Sequence, residues 1–143
     1  MDVEVLKQIG IGASFYLSAL GSGLAMGVSG PSVIGSWKKC YVQNRPAPFI
    51  LAVFAGAALS NLIYGFIVMG ALQGSTQGGE MIFALGLGAG IAIGAVALTQ
   101  AMCAASAADA YAETGKGFGN FLMVIGIAET VALFAMVFTL LNT

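Results

Sequence analysis

The sequence predicts an all-α protein made of four transmembrane helices. Hydrophobic residues make up 59% of the 143 positions and charged residues only 8%, against roughly 25% charged in a soluble domain. Polar breaks divide the chain into four apolar spans, each long enough to cross a bilayer at about 20 residues per crossing. The 21 glycines are typical of membrane helices that pack closely.

The spans follow in order along the chain. We place them at residues 9–34, 49–72, 81–108 and 118–141, with polar connections at 36–48, 73–80 and 109–117. Lipid leaves no water for an unpaired backbone, so each span should be a helix. The first span follows Lys7 but is long and glycine-rich without a convincing cleavage site, so we expect a retained helix and not a signal peptide.

The two halves resemble a duplicated hairpin. Residues 1–72 form the first transmembrane hairpin, and residues 73–143 form the second. When the halves are aligned, Leu59 stands where the second half has Glu129. Only the second hairpin then carries a carboxylate within a span.

The basic residues predict the orientation. Four of the five lie in the first and third connections: Lys38, Lys39, Arg45 and Lys116. The positive-inside rule therefore puts connections 36–48 and 109–117 in the cytoplasm and both termini on the opposite side. Aromatic residues near these connections, among them Trp37, fit an interfacial belt.

Glu129 is the residue that most needs a function. It stands in the middle of the fourth span, and no Lys, Arg or His lies in any span. An ionised carboxylate at that depth in lipid costs at least several kcal/mol. Glu129 must therefore be protonated, hold a small cation or meet a base on another protein.

A depth calculation gives Glu129 polar neighbours. Gln100 and Glu129 are equidistant from the third connection, and Ser60 and Asn61 lie about as far from the first. At 1.5 Å per residue all four should lie roughly 20 Å from the cytoplasmic turns, with Thr130 adjoining them. Carboxylate, amide and hydroxyl oxygens suit a small hard cation. Two readings stay open: Glu129 could carry a proton alone, and the polar neighbours could be interhelical glue.

Other chemistry finds little support. Gly86, Gly90 and Gly94 recur every four residues, as do Gly23 and Gly27; this favours helix packing over nucleotide binding. Histidine is absent, and the two cysteines lie in different settings without a disulfide or metal pattern. No basic run would grip nucleic acid. Asp109 and Glu113 are read as an exposed helix end.

At this point the chain resembles a known family. Gly126 to Thr130 followed by Phe134, together with the second-span segment 60–66, is similar to the proteolipid, or subunit K, of vacuolar/archaeal-type rotary ATPases. The resemblance implies a homo-oligomeric ring in lipid that turns against a static membrane protein, the stator, which supplies an arginine. The cytoplasmic connections would face a central-stalk subunit. The chain itself would be non-catalytic, with ATP chemistry on other subunits.

The resemblance also implies an ion site. In sodium-pumping relatives the corresponding positions would be Glu129, Gln100, the pair Ser60 and Asn61, and a main-chain carbonyl near Ala57. Asn61 is one methylene shorter than the family's glutamine. Because the polar third-span residue is present, we expect Na⁺ as the coupling ion, with H⁺ as the alternative.

Two other functions are weighed against the rotor subunit. A four-helix ion-coupled secondary transporter would need a substrate-sized cavity lined by aromatic side chains at the level of Glu129. A structural membrane scaffold would use a protonated Glu129 only to hold helices together.

Overall fold

A computed structural model describes residues 2–143, and within that range the secondary structure is entirely helical. The helices are α1 (Val3–Val42), α2 (Ala52–Gly56), α3 (Ser60–Gly74), α4 (Gly79–Thr114) and α5 (Phe118–Leu141), with a 3-10 turn at Phe49–Leu51 before α2. They form four helical segments long and apolar enough to cross a membrane. The predicted all-α fold with four spans is confirmed.

Two helices run further than predicted. Helix α1 continues to Val42, into the connection expected from residue 36, and α4 continues to Thr114, into the connection expected from residue 109. Polarity marks where a helix leaves lipid, but Lys and Glu are good helix formers and do not end it. The end of α4 is set by Gly115, whose φ of +63° closes the helix in the left-handed region.

The most extensive helix contact is the seam between α1 and α4. At this seam the backbones approach so closely that no side chain fits between them. A Cβ added to Gly21 would lie 2.3 Å from Gly94 Cα, and one added to Gly86 would lie 2.0 Å from the Gly10 carbonyl oxygen. The glycine stripe of α4 is therefore a packing surface. Gly23 and Gly27, expected to pack in the same way, face no neighbour within this chain.

The second span is not the continuous helix that the sequence predicted. Helix α2 ends at Gly56, residues 57–59 form a turn, and α3 starts at Ser60. The amide of Leu59 bonds three residues back to the Gly56 carbonyl (3.1 Å), and that of Asn61 bonds three residues back to Ala58 (3.4 Å). Gly56 weakens the helix locally, while hydroxyls of α1 donate to the freed carbonyls, as described below.

Helices α3 and α5 lie outside the α1–α4 seam. Gly65 of α3 packs directly on Ser18 of α1, whereas α5 is the least covered span, with 11% of its most apolar window buried. Ile125 and Ala132 are among its few buried residues and divide between two apolar clusters, one on each side of Glu129 in the sequence. Glu129 therefore stands on a helix held along one narrow face.

The two connections with most of the basic residues meet at one end of the molecule. Lys39 Nζ contacts the carboxylates of both Asp109 (2.8 Å) and Glu113 (2.7 Å). These two acids are exposed, as expected, but they pair with α1 across the α1–α4 seam. Beside them Phe54, Tyr111 and Phe118 form an aromatic cluster with centroids 5.4 to 6.5 Å apart.

Candidate ion-binding site

Glu129 makes two side-chain hydrogen bonds to other spans. Its Oε1 accepts from the Tyr64 hydroxyl of α3 (2.5 Å), and its Oε2 accepts from Gln100 Nε2 of α4 (3.3 Å). The carboxyl group is partly buried, where α3, α4 and α5 meet. No Lys or Arg belongs to this set of contacts, so both partners are neutral donors.

The network continues from Gln100 to Asn61. Gln100 and Asn61 are completely buried, and Asn61 Nδ2 donates to Gln100 Oε1 at 2.6 Å. The same nitrogen lies 3.3 Å from the Ala58 carbonyl oxygen at the break of the second span. The structure thus joins Asn61, Gln100, Glu129 and Tyr64 into one chain of hydrogen bonds, at the level given by counting residues from the turns.

Two oxygens of this layer are buried without a hydrogen-bond partner among residues 2–143. They are Ser60 Oγ and Asn61 Oδ1. Ser60 lies near the Tyr64 hydroxyl, but not with the geometry of a hydrogen bond. A buried amide oxygen without a donor costs about 1–3 kcal/mol, so an orphan of this kind beside a carboxylate fits a missing cation.

Comparisons with known proteins agree with this geometry. Residues 83–142, which include Gln100 and Glu129, match the family model for the C subunit of ATP synthase. The A-type ATP synthase subunit K of Methanocaldococcus jannaschii is 30% identical over 144 residues, which cover 99% of this chain and 63% of that relative. The chain belongs to the c-type proteolipid family. Members are non-catalytic membrane subunits, as the resemblance implied.

Tyr64 is the contact of this proteolipid that the sequence reasoning missed. In the sequence it serves only to align the two halves, and it lies 65 positions away from Glu129. A local signal is present, because Tyr64 follows Ser60 by one helical turn and so shares its face. Its ring fits an apolar span, although a buried tyrosine hydroxyl usually needs a partner.

Two predicted ligands have different outcomes. Thr130 is exposed, and its hydroxyl donates to the Ile127 carbonyl of its own helix (2.7 Å); the structure does not bring it into the layer, because successive residues of a helix point about 100° apart. Ala57 lies within the break. The amide of Asn61, which would reach Ala57 in a regular helix, bonds to Ala58 instead.

None of the three described grooves has Glu129 in its lining. The first, of about 670 Å³, lies along α1 and includes Glu4 and Tyr16. Smaller grooves of about 330 and 240 Å³ lie between α4 and α5 towards their ends. The substrate-sized cavity that a secondary transporter would need at the level of Glu129 is not among them.

Proposed function

We propose that this proteolipid is the ion-carrying rotor subunit of a rotary ATPase or ATP synthase, in which copies form a ring and Glu129 carries one cation per copy. One observation carries the proposal: a single intramembrane carboxylate joined by hydrogen bonds to Gln100 and Tyr64, with the unpartnered Asn61 Oδ1 beside them. The chain spans 63% of the length of the relative it matches, so its activity and partners are part of the proposal.

The charge of the site favours a monovalent ion. Among residues 2–143 no group of three or more His, Cys, Asp or Glu side chains could hold a metal ion. Divalent cations such as Ca²⁺ are bound by six to eight oxygens, commonly from several carboxylates. One carboxylate neutralises one positive charge, which allows the loaded site to lie in lipid without net charge.

The oxygen content favours Na⁺ over H⁺. A proton on Glu129 would need one acceptor, whereas the layer offers the oxygens of Ser60 and Asn61 as well. Hydroxyl, amide and carboxylate oxygens can replace the water shell of a small hard cation. The opened backbone beside Ala57 would allow its carbonyl to contribute, as the family resemblance implies.

Transport by such a site depends on alternating neutrality and charge. The loaded carboxylate crosses lipid neutral, and the unloaded one requires a positive partner, which we assign to an arginine of the stator. Moving one charge across the membrane is worth about 2.3 kcal/mol per 100 mV. Connections 36–48 and 109–117 would face the cytoplasm and the central stalk, with both termini on the other side.

Carbodiimide labelling tests the site directly. The purified protein should be modified at Glu129, and Na⁺ but not K⁺ should slow the modification at neutral pH. A Glu129→Gln protein should lose both the label and ATP-driven ²²Na⁺ uptake after reconstitution with the remaining subunits. Glu80→Gln is the matched control, because Glu80 is exposed in the first turn of α4.

Each outcome decides a different part of the proposal. Labelling without any protection by Na⁺ would identify H⁺ as the coupling ion. Full ion transport by Glu129→Gln would exclude the rotor role and leave the scaffold function. Native mass spectrometry should show one large ring, and a dimer would favour the secondary transporter.

A further inference from the structure

Helix α1 places a serine hydroxyl directly on the break of the second span. Serines within helices usually bond back to a carbonyl of their own helix, and Ser14 and Ser18 do so, to Ile11 (2.7 Å) and Ser14 (2.7 Å). Ser22, one turn further on, departs from this pattern. Its hydroxyl donates across to the Ala58 carbonyl of the second span (3.3 Å).

Ser29 makes a similar contact on the other side of the break. Its hydroxyl lies 3.0 Å from the Ala55 carbonyl and 3.2 Å from Ala25 in its own helix. Both Ser22 and Ser29 are buried, at 3% and 1% exposure. In a lipid environment a freed carbonyl must find a donor within the protein, and these two hydroxyls supply it.

Ser22 differs from Ser29 in what its acceptor does next. The Ala58 carbonyl that receives Ser22 also receives Asn61 Nδ2 (3.3 Å). Asn61 is bonded in turn to Gln100, and Gln100 to Glu129. Ser22 is thus the α1 end of a continuous set of contacts that reaches the carboxylate through every span.

We propose that Ser22 is a positioning residue for the ion site. Its hydroxyl fixes the Ala58 carbonyl, and that carbonyl fixes the Asn61 amide so that Oδ1 is presented to the cation. This inference rests on the proposed function of Glu129. The hydroxyl itself touches neither Glu129 nor Gln100, so its effect passes through Asn61.

The test is Na⁺ protection of Glu129 against carbodiimide in the full-length protein. Losing one neutral hydrogen bond of about 0.5–1.5 kcal/mol corresponds to a change of roughly twofold to tenfold in affinity. Since the Ser22 contact is long, we expect Ser22→Ala to raise the half-protecting Na⁺ concentration about threefold to fivefold. Ser18→Ala is the matched control and should change it less than twofold, because Ser18 is equally buried but bonds only within α1.

A double-mutant cycle separates positioning from a general loosening of the helices. In an Asn61→Ala background the further change Ser22→Ala should have little effect, since the side chain through which it acts is gone. An undiminished threefold to fivefold effect in that background would overturn the proposed route. If Ser22→Ala fails to fold, Ser22→Cys keeps the size of the side chain with a much weaker donor and should give the same shift.

Hydrogen–deuterium exchange keeps this inference distinct from the proposed function. Ser22→Ala should speed exchange at the amides of residues 59–62, and Ser18→Ala should not. If wild-type Glu129 shows no Na⁺ protection, the choice of ion falls while the exchange result still decides the role of Ser22. Equal exchange in the two variants would overturn it.

Discussion

The close approach of α1 and α4 predicts a large difference between two glycine substitutions only two residues apart. An added Cβ at Gly21 would lie 2.3 Å from Gly94 Cα, whereas one at Gly23 would meet nothing within 4 Å. Carbon atoms pack at about 3.5–4.0 Å. The helices would therefore have to separate by roughly 1.2 to 1.7 Å around Gly21→Ala, and the tight contacts of neighbouring glycines at the seam would loosen with it.

The magnitude follows from two opposing effects. Alanine favours a helix over glycine by roughly 0.5–1 kcal/mol, and this gain applies equally to both positions. Forcing extra volume into a well-packed core costs about 1–3 kcal/mol, and this cost applies to Gly21→Ala alone. We therefore expect the two variants to differ by about 1–3 kcal/mol in free energy of unfolding, with Gly23→Ala no less stable than wild type.

The measurement is unfolding by sodium dodecyl sulfate in mixed micelles, followed by the fluorescence of the single tryptophan, Trp37. Native mass spectrometry should first establish that both variants have the same assembly state, so that only the fold within one chain is compared. Equal free energies of unfolding for Gly21→Ala and Gly23→Ala would refute the backbone contact between α1 and α4.

Two further substitutions test the site and the aromatic cluster. Tyr64→Phe removes a hydroxyl donor to Glu129; a hydrogen bond to a charged group is worth about 1.5–3 kcal/mol, so we expect the half-protecting Na⁺ concentration to rise at least tenfold, and an effect no larger than that of Tyr16→Phe, on an exposed residue, would contradict the role of Tyr64. Phe54→Ala should lower the free energy of unfolding by about 3–5 kcal/mol, because Phe54 is completely buried against Tyr111 and Phe118; Phe49→Ala, on a side chain 85% exposed, should change it little, and similar losses in both would argue against the cluster.

Counting along the sequence was enough to find most of the polar layer. Antiparallel helices rise equally per residue, so distance from a shared turn gives depth, and Gln100 and Glu129 indeed lie within hydrogen-bond distance. The bounds of α5 were also predicted, because its apolar run begins and ends sharply. These features depend on local composition and simple geometry alone.

What the sequence could not supply depends on contacts between distant residues. The break at 57–59 has no proline to announce it, and its freed carbonyls are compensated by Ser22 and Ser29 from another helix. The direction of a polar side chain was equally hidden: Thr130 adjoins Glu129 in sequence but turns to Ile127. Tertiary partners, not propensity, decide such positions.

The interrupted second span has a mechanical consequence. A continuous helix transmits bending and twisting along its length, but a three-residue turn without the regular hydrogen-bond ladder is compliant. Helix α2 is anchored in the aromatic cluster through Phe54, while α3 carries Asn61 and Tyr64 to the carboxylate. A load applied at the basic connections is therefore dissipated before it reaches the polar layer, so that the layer keeps its geometry while the far end of the molecule is under strain.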